Sequence, residues 1–309
     1  MEMYVGLTDF DWYMFQKNKR YDEVNFWKPG TTSFKALQPN DLFLFKLKKP
    51  FYAIVGGGYF VSYSQLPCDI VWEIFNTKNG MESKKGFYES VLSYKRKNNM
   101  DLRNMSVGCI VLAEPFFFEK ENWIPPMEDW SNSIVQGKKY DITVGEGKRV
   151  YDEVIERLSQ RNTIDAEHNY GMEERMSKYY KSMTKHRIGQ AAFRVIVTDA
   201  YFRECSITGE KVLPVLQAAH IKSYSADGPH AINNGILLRS DIHTLFDRGY
   251  ITIDTDYRVV ISKRIKEEFG ECQQYLKYHG KHLVKLPENK QDYPLKKYLE
   301  WHNENVFME

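Results

Sequence analysis

Cys205-Ser206-Ile207-Thr208-Gly209, Leu216-Gln217-Ala218-Ala219-His220-Ile221, Asn233-Asn234-Gly235-Ile236-Leu237-Leu238 and Ser240-Asp241-Ile242-His243-Thr244-Leu245-Phe246-Asp247-Arg248-Gly249 are the stretches on which the fold turns. Leu213 to Ile221 has the apolar content of a strand that brings His220 to its end. Asp227-Gly228-Pro229 marks a loop. Asn234-Gly235 is a turn signal, followed by the short apolar strand Ile236-Leu237-Leu238. Ser240 or Asp241 can cap a helix by accepting free backbone N–H groups. On that helix His243 and Asp247 stand four residues apart and share one face. The unit is strand, loop, strand, helix. A histidine on the first strand faces an imidazole–carboxylate pair on the helix.

That arrangement suits phosphodiester hydrolysis. A general base must take a proton from the attacking water, and histidine titrates near neutrality. A divalent ion must neutralise charge on the phosphate and on the leaving oxygen. His243 and Asp247 can share such an ion. The carboxylate oxygen favours magnesium or manganese, and the imidazole also tolerates nickel or zinc.

These motifs, in this order, resemble the HNH or ββα-metal nucleases. The similarity is to the branch of restriction endonucleases that lacks zinc-binding CxxC pairs. Arg187-Ile188-Gly189-Gln190, Phe193-Arg194, Tyr201, Cys205 to Gly209, Ala218 to Ile221, Asn234-Gly235 and Asp241 to Asp247 all take part, so the likeness runs from about 186 to 305. The resemblance implies that His220 is the general base and that Asn234 holds the loop by side-chain hydrogen bonds. It implies that His243 and Asp247 bind the metal. One position departs from the pattern. Many such nucleases carry Asp, Glu or His just before the base, and here it is Ala219, which leaves two protein ligands. Asp241 is read as a helix cap rather than as a substitute ligand. Arg187, Gln190, Arg194 and Arg239 are the residues expected on phosphates. His230, His279, His282 and His302 read as surface or packing residues.

The chain of 309 residues is long enough for two cores. Net charge is only +2, so nucleic acid would be met by local basic patches rather than a global field. The four cysteines, Cys68, Cys109, Cys205 and Cys272, form no CxxC pair, which argues against a structural zinc or a disulfide framework. The opening MEMYVGLTDFDWY does not read as a signal peptide, and no apolar run is long enough to span a membrane. A reduced, cytoplasmic protein with no membrane partner is expected.

Residues 1–148 read as a strand-rich module. Leu42 to Leu47, Phe51 to Ile54, Tyr59 to Val61 and Val107 to Leu112 are expected strands. Gly56-Gly57-Gly58 marks a bulge or a close backbone approach. Trp72 to Phe75 and Gly86 to Tyr94 read as helical, and residues 115–147 as irregular. Residues 149–185 are expected to form a helical linker, with 186–309 the nuclease domain. The fold class is α+β. The Leu42–Leu47 strand and the glycine run resemble PUA-like barrels, among them EVE and ASCH modules. That resemblance implies a reader of modified bases. Such a reader needs an aromatic slot for a flipped base, and Trp12, Trp27, Tyr59 and Trp72 are the candidates to stack on it.

The expected activity is that of a modification-dependent DNA endonuclease in restriction or defence. Double-stranded DNA is the expected partner, and a homodimer would serve a double-strand cut. Three other readings stay open at this point: a sequence-specific enzyme for unmodified DNA, a nucleic-acid-binding protein with an inactive nuclease site, and an RNA-directed protein.

Overall fold

The computed structural model describes residues 2–30, 32–131, 133–162, 188–270 and 272–309. The chain divides into two compact units, residues 1–187 and 188–309. The expected DNA contact Arg187 and residues 163–185 of the expected linker lie outside the described residues.

The first unit is built on β1 (Glu2–Thr8), α1 (Phe10–Lys19), β2 (Glu23–Lys28), β3 (Leu42–Leu47), β4 (Ile54–Pro67), α2 (Cys68–Phe75), α3 (Lys84–Lys97), β5 (Ser106–Phe117), β6 (Gly137–Asp141) and α4 (Gly145–Asn162). Its strands form one six-stranded sheet in the order β2-β5-β4-β3-β1-β6. Only the β1–β3 pair is parallel.

All six residues of β3 are buried, because both faces of this central strand are covered. The two-residue period of a strand separates its side chains. Leu42 and Leu44 join the cluster that holds Val150, Tyr151, Val154, Ile155 and Leu158 of α4. Phe43, Phe45 and Leu47 join the opposite cluster, with Tyr13 of α1 and Val24 of β2. The helix expected to begin a linker thus supplies one wall of this core.

Three local expectations change. The chain turns through 49–53, and the second strand starts only at Ile54. The stretch expected to be irregular contains the end of β5 and the whole of β6. All three glycines are inside β4 rather than between strands. A Cβ on Gly56 would lie 2.1 Å from the Phe116 oxygen, and one on Gly57 2.6 Å from the Phe43 oxygen. The β4–β5 register slips between Gly57 and Tyr59, so both a close approach and a bulge are present.

The second unit carries α5 (Gln190–Ala200), β7 (Leu216–His220), β8 (Gly235–Arg239), α6 (Ser240–Asp247), β9 (Ile251–Ile253), β10 (Val259–Ile261), α7 (Arg264–Phe269), α8 (Gln273–Leu276) and α9 (Lys296–Asn305). β7 and β8 pair antiparallel, with Ala219 opposite Ile236 and His220 opposite Gly235. Phe193 and Val197 of α5, Ile236 to Leu238, Ile242, Phe246 and Leu299 share one apolar core. Gly235 is required where α5 meets the β8 start, since a Cβ there would lie 2.4 Å from Val197 Cγ2.

Candidate active site

β7, β8 and α6 bring the expected residues to one cavity of about 400 Å³, lined by His220, His243 and Asp247 together with Gln190, Tyr224, Trp301 and His302. Gln190 and Arg194 of α5 line an adjoining hollow of about 220 Å³ with Gln217, His220 and His243.

His220 ends β7. Its ring lies on Phe193 with centroids 3.8 Å apart and planes inclined by 12°. Its Nε2 is 2.9 Å from Nδ1 of His230. Its Nδ1 has no protein partner among the described residues. Burial, and then the neighbouring imidazoles of His230 and His243, push its pKa down to about 4, against an opposing pull from Asp247. The free protein therefore holds this ring neutral at pH 7.

Asn234 is fully buried where β8 begins. Its Oδ1 accepts from the Lys222 N–H at 2.9 Å, and its Nδ2 donates to the carbonyls of Lys222 at 2.9 Å and Pro229 at 3.0 Å. Its own carbonyl accepts from the Ile221 N–H at 2.9 Å. One amide thus ties both ends of the 222–229 loop to the strand that carries His220.

His243 and Asp247 occupy successive turns of α6. His243 Nδ1 is 2.7 Å from the Gln217 side-chain oxygen, which assigns the ring proton to Nδ1. Nε2 then turns a lone pair toward Asp247 Oδ2, 3.2 Å away. Two acceptors at that distance need a proton or a cation between them. Adjacent ligands of a hexacoordinate divalent ion with ~2.1 Å bonds stand about 3 Å apart. The pair therefore fits a divalent metal, with Gln217 orienting the imidazole from behind, as a ligand histidine requires. No group of three or more His, Cys, Asp or Glu side chains is placed to hold a metal among the described residues. Ala219 is buried in the core.

Other expected residues sit elsewhere. Arg239 grips Asp241 with two bonds, Nε to Oδ1 at 2.6 Å and Nη2 to Oδ2 at 2.7 Å. Asp241 also accepts from the Tyr275 hydroxyl at 3.2 Å, and the guanidinium holds its carboxyl below the usual carboxylate range. The expected side-chain cap is therefore absent. Arg239 occupies the N-cap position of α6, in extended backbone, and no side chain caps the helix there.

In the first unit, Trp12 and Trp27 line a cavity of about 770 Å³ with Tyr4, Phe26, Phe34 and Lys28. Trp12 stands edge-on to Phe26 and Phe45. Trp27 is anchored by its indole N–H on the Asn79 carbonyl at 3.0 Å. Trp72 is absent from that lining and lies beside Phe87. Tyr59 cannot stack on a base, because it is 3% exposed and packed in the core on the α4 side of the sheet.

Sequence reasoning missed His230, Gln217 and Tyr224. His230 comes back to His220 through the loop that Asp227-Gly228-Pro229 turns, and no regular spacing announces it. Gln217 could have been found as the residue three before His220, at the start of the same strand. His302 is a packing residue, as expected. It stacks on Phe246 at 3.8 Å and 16° and is bonded at both nitrogens, Nδ1 with Thr252 Oγ1 at 2.8 Å and Nε2 with the Phe246 oxygen at 3.2 Å.

Residues 205–254 match the family described as HNH endonuclease. No curated protein matches the chain. Among solved structures, the chain is similar to ASCH from Zymomonas mobilis, at 8% identity and a TM-score of 0.33 over 48% of this chain and 94% of that one. It is also similar to the modification-dependent TagI restriction endonuclease, at 11% identity and a TM-score of 0.29 over 93% of this chain and 78% of that one. No described helix is long and apolar enough to cross a membrane.

Proposed function

From the HNH endonuclease domain at 205–254 we propose that the protein is a divalent-metal-dependent DNA endonuclease acting in modification-dependent restriction. The observation that carries the reading is His220, which lines the cavity that also holds the His243–Asp247 pair and has one ring nitrogen without a partner among the described residues. A neutral imidazole with a free lone pair can accept a proton from water. A second group beside it can hold a cation against a phosphate.

His220 Nδ1 takes a proton from the attacking water, and the O–H electron pair stays on that oxygen as it bonds to phosphorus. The opposite P–O bond breaks, and the leaving oxygen takes a proton from solvent. His243 and Asp247 hold the metal. When bound, the metal supplies charge neutralisation at the phosphate and the leaving oxygen. A pKa near 4 is low for a base at neutral pH, but the negative charge of a phosphate beside the ring raises it on binding. Gln190 and Arg194 line the approach to His220 and are suited to the DNA backbone.

Modification dependence is assigned to the first unit. The cavity that Trp12 and Trp27 line is about 770 Å³, large enough for a base turned out of the duplex, and Lys28 and Lys48 lie on its walls for the flanking phosphates.

The test is a cleavage assay on matched modified and unmodified DNA, with magnesium or manganese, using wild type and His220→Ala. Cutting of modified DNA alone, lost in the variant, is the expected result. Equal cutting of both DNAs would remove the modification reader and keep the nuclease. Undiminished cutting by His220→Ala would remove the base.

A further inference from the structure

His230 is neither the proposed base nor a proposed metal ligand. Yet its Nδ1 is the partner of His220 Nε2 at 2.9 Å. Between two ring nitrogens at that distance there is room for one proton. If His230 were the donor, His220 would carry its own proton on Nδ1, and neither of its nitrogens would be free to accept one. If His220 is the donor, Nδ1 is left as an open lone pair.

We infer that His230 is a positioning residue: it accepts the Nε2–H of His220, fixes that tautomer, and leaves Nδ1 as the atom that takes the proton from water. This rests on the reading of His220 as the general base.

The local architecture is built for such a task. The Phe193 stack fixes the plane of the His220 ring, and the bond to His230 fixes its rotation within that plane. His230 is held in turn. Its ring lies on Tyr224 with centroids 4.4 Å apart and planes within 8°. The residue before it, Pro229, gives its carbonyl to Asn234 Nδ2 at 3.0 Å and to the Ala231 N–H at 3.0 Å. Asn234 therefore braces the base from two sides, through its carbonyl on Ile221 and through the loop that presents His230. Proton balance is simple. The proton from water goes to Nδ1, the Nε2 proton stays in the bond to His230, and the imidazolium that forms already has an acceptor for its second N–H. Such a partner behind a reacting histidine sets tautomer and orientation.

The experiment uses the full chain. Imidazole nitrogen shifts of ¹⁵N-labelled, metal-free protein are assigned with His220→Ala and His230→Ala. Single-turnover rates on DNA that the wild type cuts, and DNA binding in calcium, are measured for His220→Ala, His230→Ala and His230→Gln. The expected result is an Nε2–H tautomer for His220 in the wild type and a mixture of tautomers in His230→Ala. His230→Ala should cut about 10–100-fold more slowly with DNA binding unchanged. His230→Gln, whose carbonyl can accept the same proton, should recover most of the rate. An Nδ1–H tautomer in the wild type, or wild-type cutting by His230→Ala, would overturn the inference. If His220→Ala cuts normally, the base reading itself falls. If that variant is dead while His230→Ala matches wild type in rate and tautomer, only the present inference falls. Should His230→Ala fail to fold, the tautomer in the wild type and in His230→Gln still decides.

Discussion

Of the three histidines that line the cavity of the C-terminal unit, two lie on a phenylalanine with ring centroids 3.8 Å apart: His220 on Phe193 and His302 on Phe246. Burial pushes both pKa values down to about 4. Stacking and a depressed pKa therefore do not tell a chemical histidine from a structural one. Hydrogen-bond accounting does. His302 has both nitrogens engaged, by Thr252 and by the Phe246 carbonyl, so it has nothing left to offer a substrate. His220 spends one nitrogen on His230, and the other has no partner among the described residues.

The sharpest way to break this comparison is to truncate each ring. His220→Ala should lose about 10²–10⁴-fold in single-turnover cleavage, the usual worth of a general base, while its melting temperature changes little. His302→Ala should do the reverse. It removes a 2% exposed ring and takes one hydrogen-bond partner each from the Thr252 hydroxyl, which keeps Asn303, and the Phe246 carbonyl, which keeps the Gly249 N–H. A stability loss of about 2–4 kcal/mol is expected, with far more cleavage retained than in His220→Ala. If His302→Ala folds normally and cuts no DNA, the division of roles is wrong.

Acid should expose what the two rings share. Each has a folded pKa of about 4, below its ordinary value of 6.5. The unfolded chain therefore binds more protons than the folded one between these values. The stability of the neutral, buried form is fully present above about pH 6.5 and is lost as pH falls toward 4. For His302 the loss is at most about 3 kcal/mol, and for the more open His220 it is smaller. Thermal unfolding between pH 7 and pH 4 reads it. His302→Leu should be less stable than wild type at pH 7 and flatter with pH. An unchanged slope would show that this ring does not titrate as buried.

Asn234→Ala comes next in size. It strips one buried amide from three backbone partners, Lys222 N–H and the carbonyls of Lys222 and Pro229. About 1–3 kcal/mol of stability should go with it. Cleavage should fall as well, because both the strand bearing His220 and the loop bearing His230 depend on that side chain. A variant that loses stability but cuts at the wild-type rate per folded molecule would make Asn234 purely structural.

What could be read beforehand divides along the same lines. The ββα order, the place of His220 at a strand end and the sharing of one face by His243 and Asp247 all follow from local periodicity within residues 205–254. Asn234 is next to a glycine whose missing Cβ lets α5 pack against β8, so its position is also local. His230 was invisible because it sits in a loop and reaches His220 through a turn, with no period to reveal it. In the first unit the cavity walls come from β1, α1, β2 and the segments around 33, 81 and 136. No short motif spans such distances. Tyr59 shows the cost of guessing there. An aromatic beside a glycine run looked free for a base, but the bulge in β4 turns it into the core.

Arg239 gives the smallest expected effect and the finest test of how the site meets DNA. The sequence suggests a phosphate contact, whereas the structure pairs it bidentately with Asp241. The pair is partly exposed, with side-chain accessibilities of 30% and 38%, so Arg239→Ala should cost no more than about 1 kcal/mol. Its DNA behaviour separates two roles. A guanidinium fully occupied by Asp241 orders the start of α6, and its loss leaves the salt dependence of DNA binding unchanged. A guanidinium that leaves Asp241 for a phosphate releases one counterion. Its removal then lowers the slope of log K against log salt by about 0.9. Arg194→Ala is the internal standard, since Arg194 lines the approach to His220 and should lower the slope. A drop in both variants would extend the DNA track from the His220 cavity to the N-terminal end of α6. A drop in Arg194→Ala alone would confine it to the α5 side of the His220 site.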